Sequence, residues 1–254
     1  MKPVTELIGQ TCKLYKKHLG LLAGYTAWLL LPYAATVLVS LPTSNVFSEV
    51  FSFFFILIQG ILALWLGTLI PSLVRELVNN KTKIPITDLQ SRAWHLVPSV
   101  VFVAILESAV VLGGFIMLII PAFIFWVWFA MAQLAVILDN KKGMEAMAWS
   151  REISRNKFWS LAWRLIAGPF VFLFVTALTT GLIITIMAVI LGTSAEVILG
   201  LTPPLWAELI SNVIETFSLP FFLIYYTLLY LDLSKPAPST PSSPTPSEAS
   251  AKEG

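Results

Sequence analysis

The sequence predicts an all-α, polytopic membrane protein with six transmembrane helices and short cytoplasmic interfacial amphipathic helices. Three observations carry that expectation. The first is composition: 57% of the 254 residues are hydrophobic and only 12% are charged, at a mean hydropathy of +0.83. Soluble domains carry about 25% charged residues, so this chain cannot cover itself with polar surface and the bilayer is its expected solvent. The second is that the apolar residues fall into six runs, at 21–41, 46–74, 96–118, 122–138, 158–191 and 204–231. Each reaches the range of about 17–25 residues or more that a transmembrane helix uses at about 1.5 Å per residue. The third is charge placement. All 16 Lys and Arg lie before residue 20, within 75–92, within 141–164 or in the tail, and none lies at 42–47, 119–121 or 192–205. Alternate connections therefore carry every positive charge, which the positive-inside rule reads as cytoplasmic N- and C-termini.

Residues 1–20 form the lead-in. Val4, Leu7, Ile8, Thr11, Tyr15 and Leu19 recur at helical spacing, while Glu6, Gln10, Lys13 and Lys17 occupy another face, and Pro3 suits a first helical turn. An amphipathic helix lying on the membrane surface, lysines towards anionic headgroups, fits this pattern; an ordinary cytosolic lead-in helix is the other reading. The first span, 21–41, has too long an apolar stretch for a cleaved signal peptide. The second, 46–74, is longer than a bilayer needs, so it tilts or projects.

The connection 75–95 is polar. Thr87 with Gln90 makes a capping-box pattern, predicting a separate short helix that runs towards Pro98 with Leu89, Ala93 and Leu96 on its apolar face. The third span follows at 96–118, a tight turn at 119–121, and the fourth span at 122–138. Gly143 then opens a basic segment whose Ala146, Trp149, Ser150 and Ile153 share one face, with Glu145, Arg151, Glu152 and Arg155 opposite. This is the third interfacial helix. The fifth span, 158–191, carries Gly168-Pro169 as a kink signal. Thr193 with Glu196 caps a short outer helix that Gly200 ends, and Pro203-Pro204 opens the sixth span. Residues 233–254 are Pro/Ser-rich and expected to be a disordered cytoplasmic tail. Three helical hairpins, each after a short amphipathic segment with aromatic or basic residues at its mouth, suggest a threefold repeat; the same pattern also arises wherever a span starts on the cytoplasmic side.

Chemistry is sparse. A carboxylate at bilayer depth costs about 2.5–3.5 kcal/mol by insertion scales and is a functional candidate by default. Glu107 sits midway along the third span. On the sixth, Glu208, Asn212, Glu215 and Ser218 follow at four, three and three residues, one polar stripe down a helix face. A water-lined path through Glu107 and Glu215 is one reading, and interhelical hydrogen bonding that fixes packing is the favoured one. Arg151, Arg155, Lys157 and Arg164 are candidate contacts for anionic lipid headgroups. No catalytic or metal-binding residues and no cofactor motif are found: His18 and His95 are isolated, and HExxH, P-loop and GxSxG patterns are missing. Cys12 is the only cysteine, which excludes an intrachain disulfide, and a net charge of +2 points to no nucleic-acid partner.

Residues 121–168 resemble the hallmark of a broad group of six-helix bacterial and archaeal membrane proteins, which includes the membrane domain of some glycerophosphoryl diester phosphodiesterases. The likeness rests on a proline-opened span ending in Asp139, then Lys142-Gly143, then an Ala-x-x-x-Ser helix from Ala146 to Ser150, then Lys157-Phe158-Trp159. It implies a six-helix fold and no activity, since the catalytic barrel of the phosphodiesterase has no counterpart in this sequence. The expected function is that of a non-enzymatic plasma-membrane protein that organises lipids or partner proteins, its partners being the bilayer, anionic headgroups and another membrane protein or a second copy of itself. A small transporter or permease using Glu107 and Glu215 is the alternative.

Overall fold

The computed structural model describes residues 1–40, 46–79, 85–198 and 204–235. The expected connection at 42–45, Lys81 and Lys83, the Gly200 stop, Pro203 and the Pro/Ser-rich stretch from 236 lie outside the described residues. Within them the chain is helical, with α1 (Val4–Lys17), α2 (Leu19–Ala27), α3 (Leu30–Ser40), α4 (Val46–Val78), α5 (Ile86–Met117), α6 (Ile119–Phe129), α7 (Ala132–Asp139), α8 (Gly143–Arg155), α9 (Phe158–Leu191), α10 (Ala195–Ile198) and α11 (Leu205–Leu233). Six stretches are long and apolar enough to cross a membrane: Leu19–Val39, Phe47–Val78, Ile86–Ile116, Ile119–Asp139, Phe158–Leu191 and Leu205–Leu233. The protein is thus an all-α chain of multi-pass membrane type. Consecutive spans pair as α3 with α4, α5 with α6 and α9 with α11.

Several local expectations change. The separate helix of 87–95 does not exist, because α5 starts after Pro85 and continues through Pro98 as one helix of 32 residues. Thr87 is already inside it, no side chain caps its start, and Gln90 Nε2 instead donates to the Tyr25 hydroxyl at 3.0 Å. The turn between the third and fourth spans is a single extended residue, Leu118, and Pro121 sits in the first turn of α6, where its missing N–H is harmless. The first and fourth spans are each broken, the first at Trp28-Leu29 and the fourth at Ala130-Met131. Pro169 lies within an unbroken α9. Ahead of α10 the Ser194 carbonyl, one residue after the expected Thr193 cap, accepts the Val197 N–H at 3.2 Å. At the end of α7, Asn140 takes the left-handed conformation at φ 55°, which asparagine tolerates better than most residues.

Packing is uneven along the helices. In α4, residues Trp65, Leu66, Leu69, Ile70, Leu73 and Val74 are buried, whereas Phe47, Phe51, Phe54, Leu57 and Ile61 are exposed. In α9, Leu161, Ala162, Leu165 and Phe172 are buried and the stretch beyond carries exposed Leu173, Phe174, Leu178, Leu182 and Ile186. In α11 the buried run is Ile224 to Leu233 apart from half-buried Tyr226, Leu231 and Asp232. Helices of 33 and 34 residues are about 50 Å long, against about 30 Å of hydrocarbon. Their basic ends pack into one core, and their other halves carry mostly exposed apolar side chains.

The amphipathic helices join that core. In α1 the apolar stripe Leu7, Thr11 and Tyr15 is buried against α11 and α9, so protein rather than lipid covers it. The Lys2 N–H donates to Asp232 at 2.8 Å and the Tyr15 hydroxyl to the Phe217 carbonyl at 3.1 Å, so α1 lies lengthwise and antiparallel along α11. In α8 the face Ala146, Met147, Ser150 and Ser154 is likewise buried, against α5, α6 and α7.

Candidate functional site

The break in the fourth span is where sequence, packing and polar chemistry meet. Ser150 is fully buried because α8 turns its apolar face onto α7 and α6. Its hydroxyl accepts the Met131 N–H at 3.2 Å and donates to the Trp128 carbonyl at 2.7 Å, satisfying backbone groups that the break would strand. After the break α7 opens with Gln133 one residue from its start, and Gln133 Nε2 donates to Glu107 Oε2 on α5 at 3.0 Å. This pair lies on the wall of a cavity of about 520 Å³, lined also by Gly60, Gly67, Val100, Trp126 and Tyr226. A Cβ built on Gly60 or Gly67 would meet nothing within 4 Å, so these glycines make space rather than admit a neighbouring helix.

The predicted polar stripe on α11 does not join Glu107. Glu215 and Ser218 line a separate groove of about 600 Å³ against Thr176, Thr180 and Thr185 of α9. There Thr176 donates to the Ser218 hydroxyl at 3.2 Å, and Ser218 donates to the Ile214 carbonyl at 2.8 Å, while Glu215 is exposed. Nearer the start of α11, Asn212 Nδ2 donates to the Glu208 carbonyl at 3.0 Å. The buried Tyr33 hydroxyl faces the Glu208 and Asn212 side chains without a well-aligned hydrogen bond to either. The five residues thus fall into three places: Glu107 with Gln133, Glu215 with Ser218, and Glu208 with Asn212 beside Tyr33.

The basic end is closed by a charged network. Arg75 pairs with Asp139 at 3.3 Å and also donates to the Leu138 carbonyl; the Tyr230 hydroxyl donates to the other Asp139 oxygen, and Trp149 Nε1 donates to the Tyr230 hydroxyl at 3.1 Å. These contacts tie the ends of α4, α7 and α11 to α8. Arg164 Nε donates to the Lys2 carbonyl at 2.8 Å, fastening α1 to α9.

Of the four cations expected to meet lipid headgroups, two are engaged within the protein. Arg164 is held by Lys2 and Ser160, and Arg151 lies 4.7 Å over the Trp128 ring. Arg155 and Lys157 are exposed. At the start of α8, Lys141 bonds Glu145 at 2.6 Å, and this hydrogen bond raises the lysine above its ordinary value and lowers the glutamate below it. Both side chains are at the surface, where such a pair adds little stability.

Sequence reading overlooked Gln133, Tyr33 and the Asp139–Tyr230 link. Gln133 had a visible signal, a lone amide within the apolar run AMAQLAV. Among the described residues no group of three or more His, Cys, Asp or Glu is placed to hold a metal ion. No family model matches the chain, and no curated protein and no solved structure matches it either.

Proposed function

We propose that the protein is a non-enzymatic, multi-pass plasma-membrane protein, with both termini cytoplasmic, that organises lipids. One observation carries the reading: two apolar-lined cavities of about 520 Å³ and 600 Å³ lie between the helices, one beside the packed core and one between α9 and α11. Spaces of that size lie in the range of ligand pockets, about 300–1,000 Å³. Their walls are mostly hydrocarbon, which suits acyl chains and offers little to a polar solute. Exposed Arg155 and Lys157 at the basic end suit anionic headgroups, each contributing about 1 kcal/mol near such a surface.

The transporter reading is the weaker one, because Glu107 and Glu215 line different cavities and share no described lining residue. The likeness of 121–168 to the membrane domain of glycerophosphoryl diester phosphodiesterases is in keeping with a six-helix fold, and phosphodiesterase activity is not part of the proposal. Mass spectrometry of gently solubilised protein tests the reading. The expected result is one or a few lipid species enriched over the bulk membrane extract and retained through detergent exchange. A lipid profile identical to the bulk extract overturns it.

A further inference from the structure

We propose that the cavity beside the broken fourth span binds one amphipathic molecule whose head donates hydrogen bonds, a primary ammonium or a hydroxyl, and whose body is a hydrocarbon chain. This rests on the lipid-organising reading and names the lipid chemistry that one site selects. The head is defined by what Glu107 and Gln133 leave open. Their mutual bond uses Gln133 Nε2 and Glu107 Oε2 at 3.0 Å. Glu107 Oε1 and Gln133 Oε1 accept no hydrogen bond from any described residue. With Glu107 ionised both atoms are acceptors, so the complementary group is a donor, and an ammonium head favours that ionised form. A phosphate or carboxylate head would set acceptor against acceptor and anion against anion.

The body is defined by Gly60, Gly67 and Val100. The two glycines are on one face of α4, seven residues apart, and a Cβ at either meets nothing within 4 Å. Glycine costs about 1 kcal/mol relative to alanine inside a helix, and here no close helix contact offsets that cost. Vacant space bounded by glycine hydrogens and aliphatic carbon fits a chain of methylenes.

Shape is held by the break. Trp126 and Ala130 line the cavity before it and Gln133 and Leu134 after it, so the wall is two short helices whose joint is held by Ser150. Irregular backbone at membrane depth is tolerated where it lines a cavity.

The test uses full-length protein in a nonionic detergent, with dodecylamine and dodecyltrimethylammonium as probes and bound adducts counted by native mass spectrometry. The two probes share chain and charge, but only the first has N–H donors. Dodecylamine is expected to bind about tenfold tighter or more, as befits hydrogen bonds to a carboxylate. Glu107→Leu and Gly67→Leu each erase that preference, and Gly181→Leu, which fills the α9–α11 groove instead, preserves it. Gly60→Leu repeats the cavity-filling test should Gly67→Leu lose helical circular dichroism. Equal binding of the two probes overturns the inference, as does loss of the preference in Gly181→Leu but not in Gly67→Leu. If enriched lipid survives purification while the probes bind equally, this site fails and the lipid-organising reading stands. If neither is seen, both fail.

Discussion

Ser150 holds Met131 at the break of the fourth span, accepting its N–H at 3.2 Å while donating to Trp128 three residues earlier at 2.7 Å. Replacing the hydroxyl leaves a buried N–H and a part-buried carbonyl without that partner. Ser150→Ala is therefore expected to cost about 1–3 kcal/mol, read as a lowered unfolding midpoint in mixed micelles. An unchanged midpoint would mean that the break supports itself.

Gly168 is required by Tyr225. A Cβ at Gly168 would lie 2.0 Å from the Tyr225 ring, which is fully buried and anchored by its hydroxyl to the Arg164 carbonyl at 2.8 Å. Pro169 next to it has no N–H, so the turn of α9 beneath them already lacks one intrahelical bond. Gly168→Ala should destabilise by about 1–3 kcal/mol through overpacking. The double variant Gly168→Ala/Tyr225→Leu should recover part of that loss, giving a coupling of about 0.5–3 kcal/mol in a mutant cycle. Strict additivity would show that the ring does not set the constraint.

Tyr230 bridges Trp149 and Asp139, and it is fully buried. Tyr230→Phe keeps the ring and removes both bonds, one of them to a carboxylate. The expected loss is about 1–3 kcal/mol. It should shrink in an Asp139→Asn background, where the charge is gone. An equal loss in both backgrounds would show that Asp139 contributes nothing through Tyr230.

His18 lies between α1 and α2, and partial burial, then the neighbouring Lys17 charge, lower its pKa below the ordinary value. A depressed folded value means that the unfolded chain binds the proton first. Stability from this group is present above the ordinary histidine value of about 6.5 and is lost as pH falls towards the folded one. His18→Gln should melt with a shallower dependence on pH below about 6.5 than the parent chain. Parallel curves would remove His18 from the titration.

Orientation follows from where the cations gather. In a Cys12→Ala background, Lys142→Cys is expected to react with a membrane-impermeant thiol reagent only from the cytoplasmic side, and Ser194→Cys only from the other, both positions being exposed. The reverse pattern would invert the proposed topology.

The six spans were legible because bilayer solvation is written into composition and length, which need no knowledge of neighbours. The amphipathic faces of α1 and α8 were legible for the same reason, but what covers them was not. Helical periodicity shows that Leu7, Thr11 and Tyr15 share a face without distinguishing a protein partner from lipid. The break at Ala130-Met131 had no local signal, since its support comes from Ser150, on a different helix. Thr87 and Gln90 misled because a capping box competes with other uses of the same side chains. Here the helix begins earlier, just after Pro85, and Gln90 is drawn to Tyr25. The stripe on α11 follows from spacing alone, which does not show that Glu208 and Asn212 lie beside Tyr33 of α3, that Glu215 and Ser218 line a groove against α9, or that Glu107 stands apart from both.

Beyond the packed core, α4 and α9 carry exposed apolar side chains, Phe47, Phe51 and Leu57 in one and Leu173, Leu178 and Leu182 in the other. Bilayers differ in thickness by several ångströms, and a helix that is too long for its bilayer accommodates by tilting. In this molecule Arg75 pairs with Asp139 at the opposite end of α4 from Phe47, Phe51 and Leu57. A change of tilt therefore bears first on the groove between α9 and α11, whose lining lies in the exposed half of α9. It bears least on the cavity at Glu107, whose lining includes buried Leu134, Ile137 and Leu165.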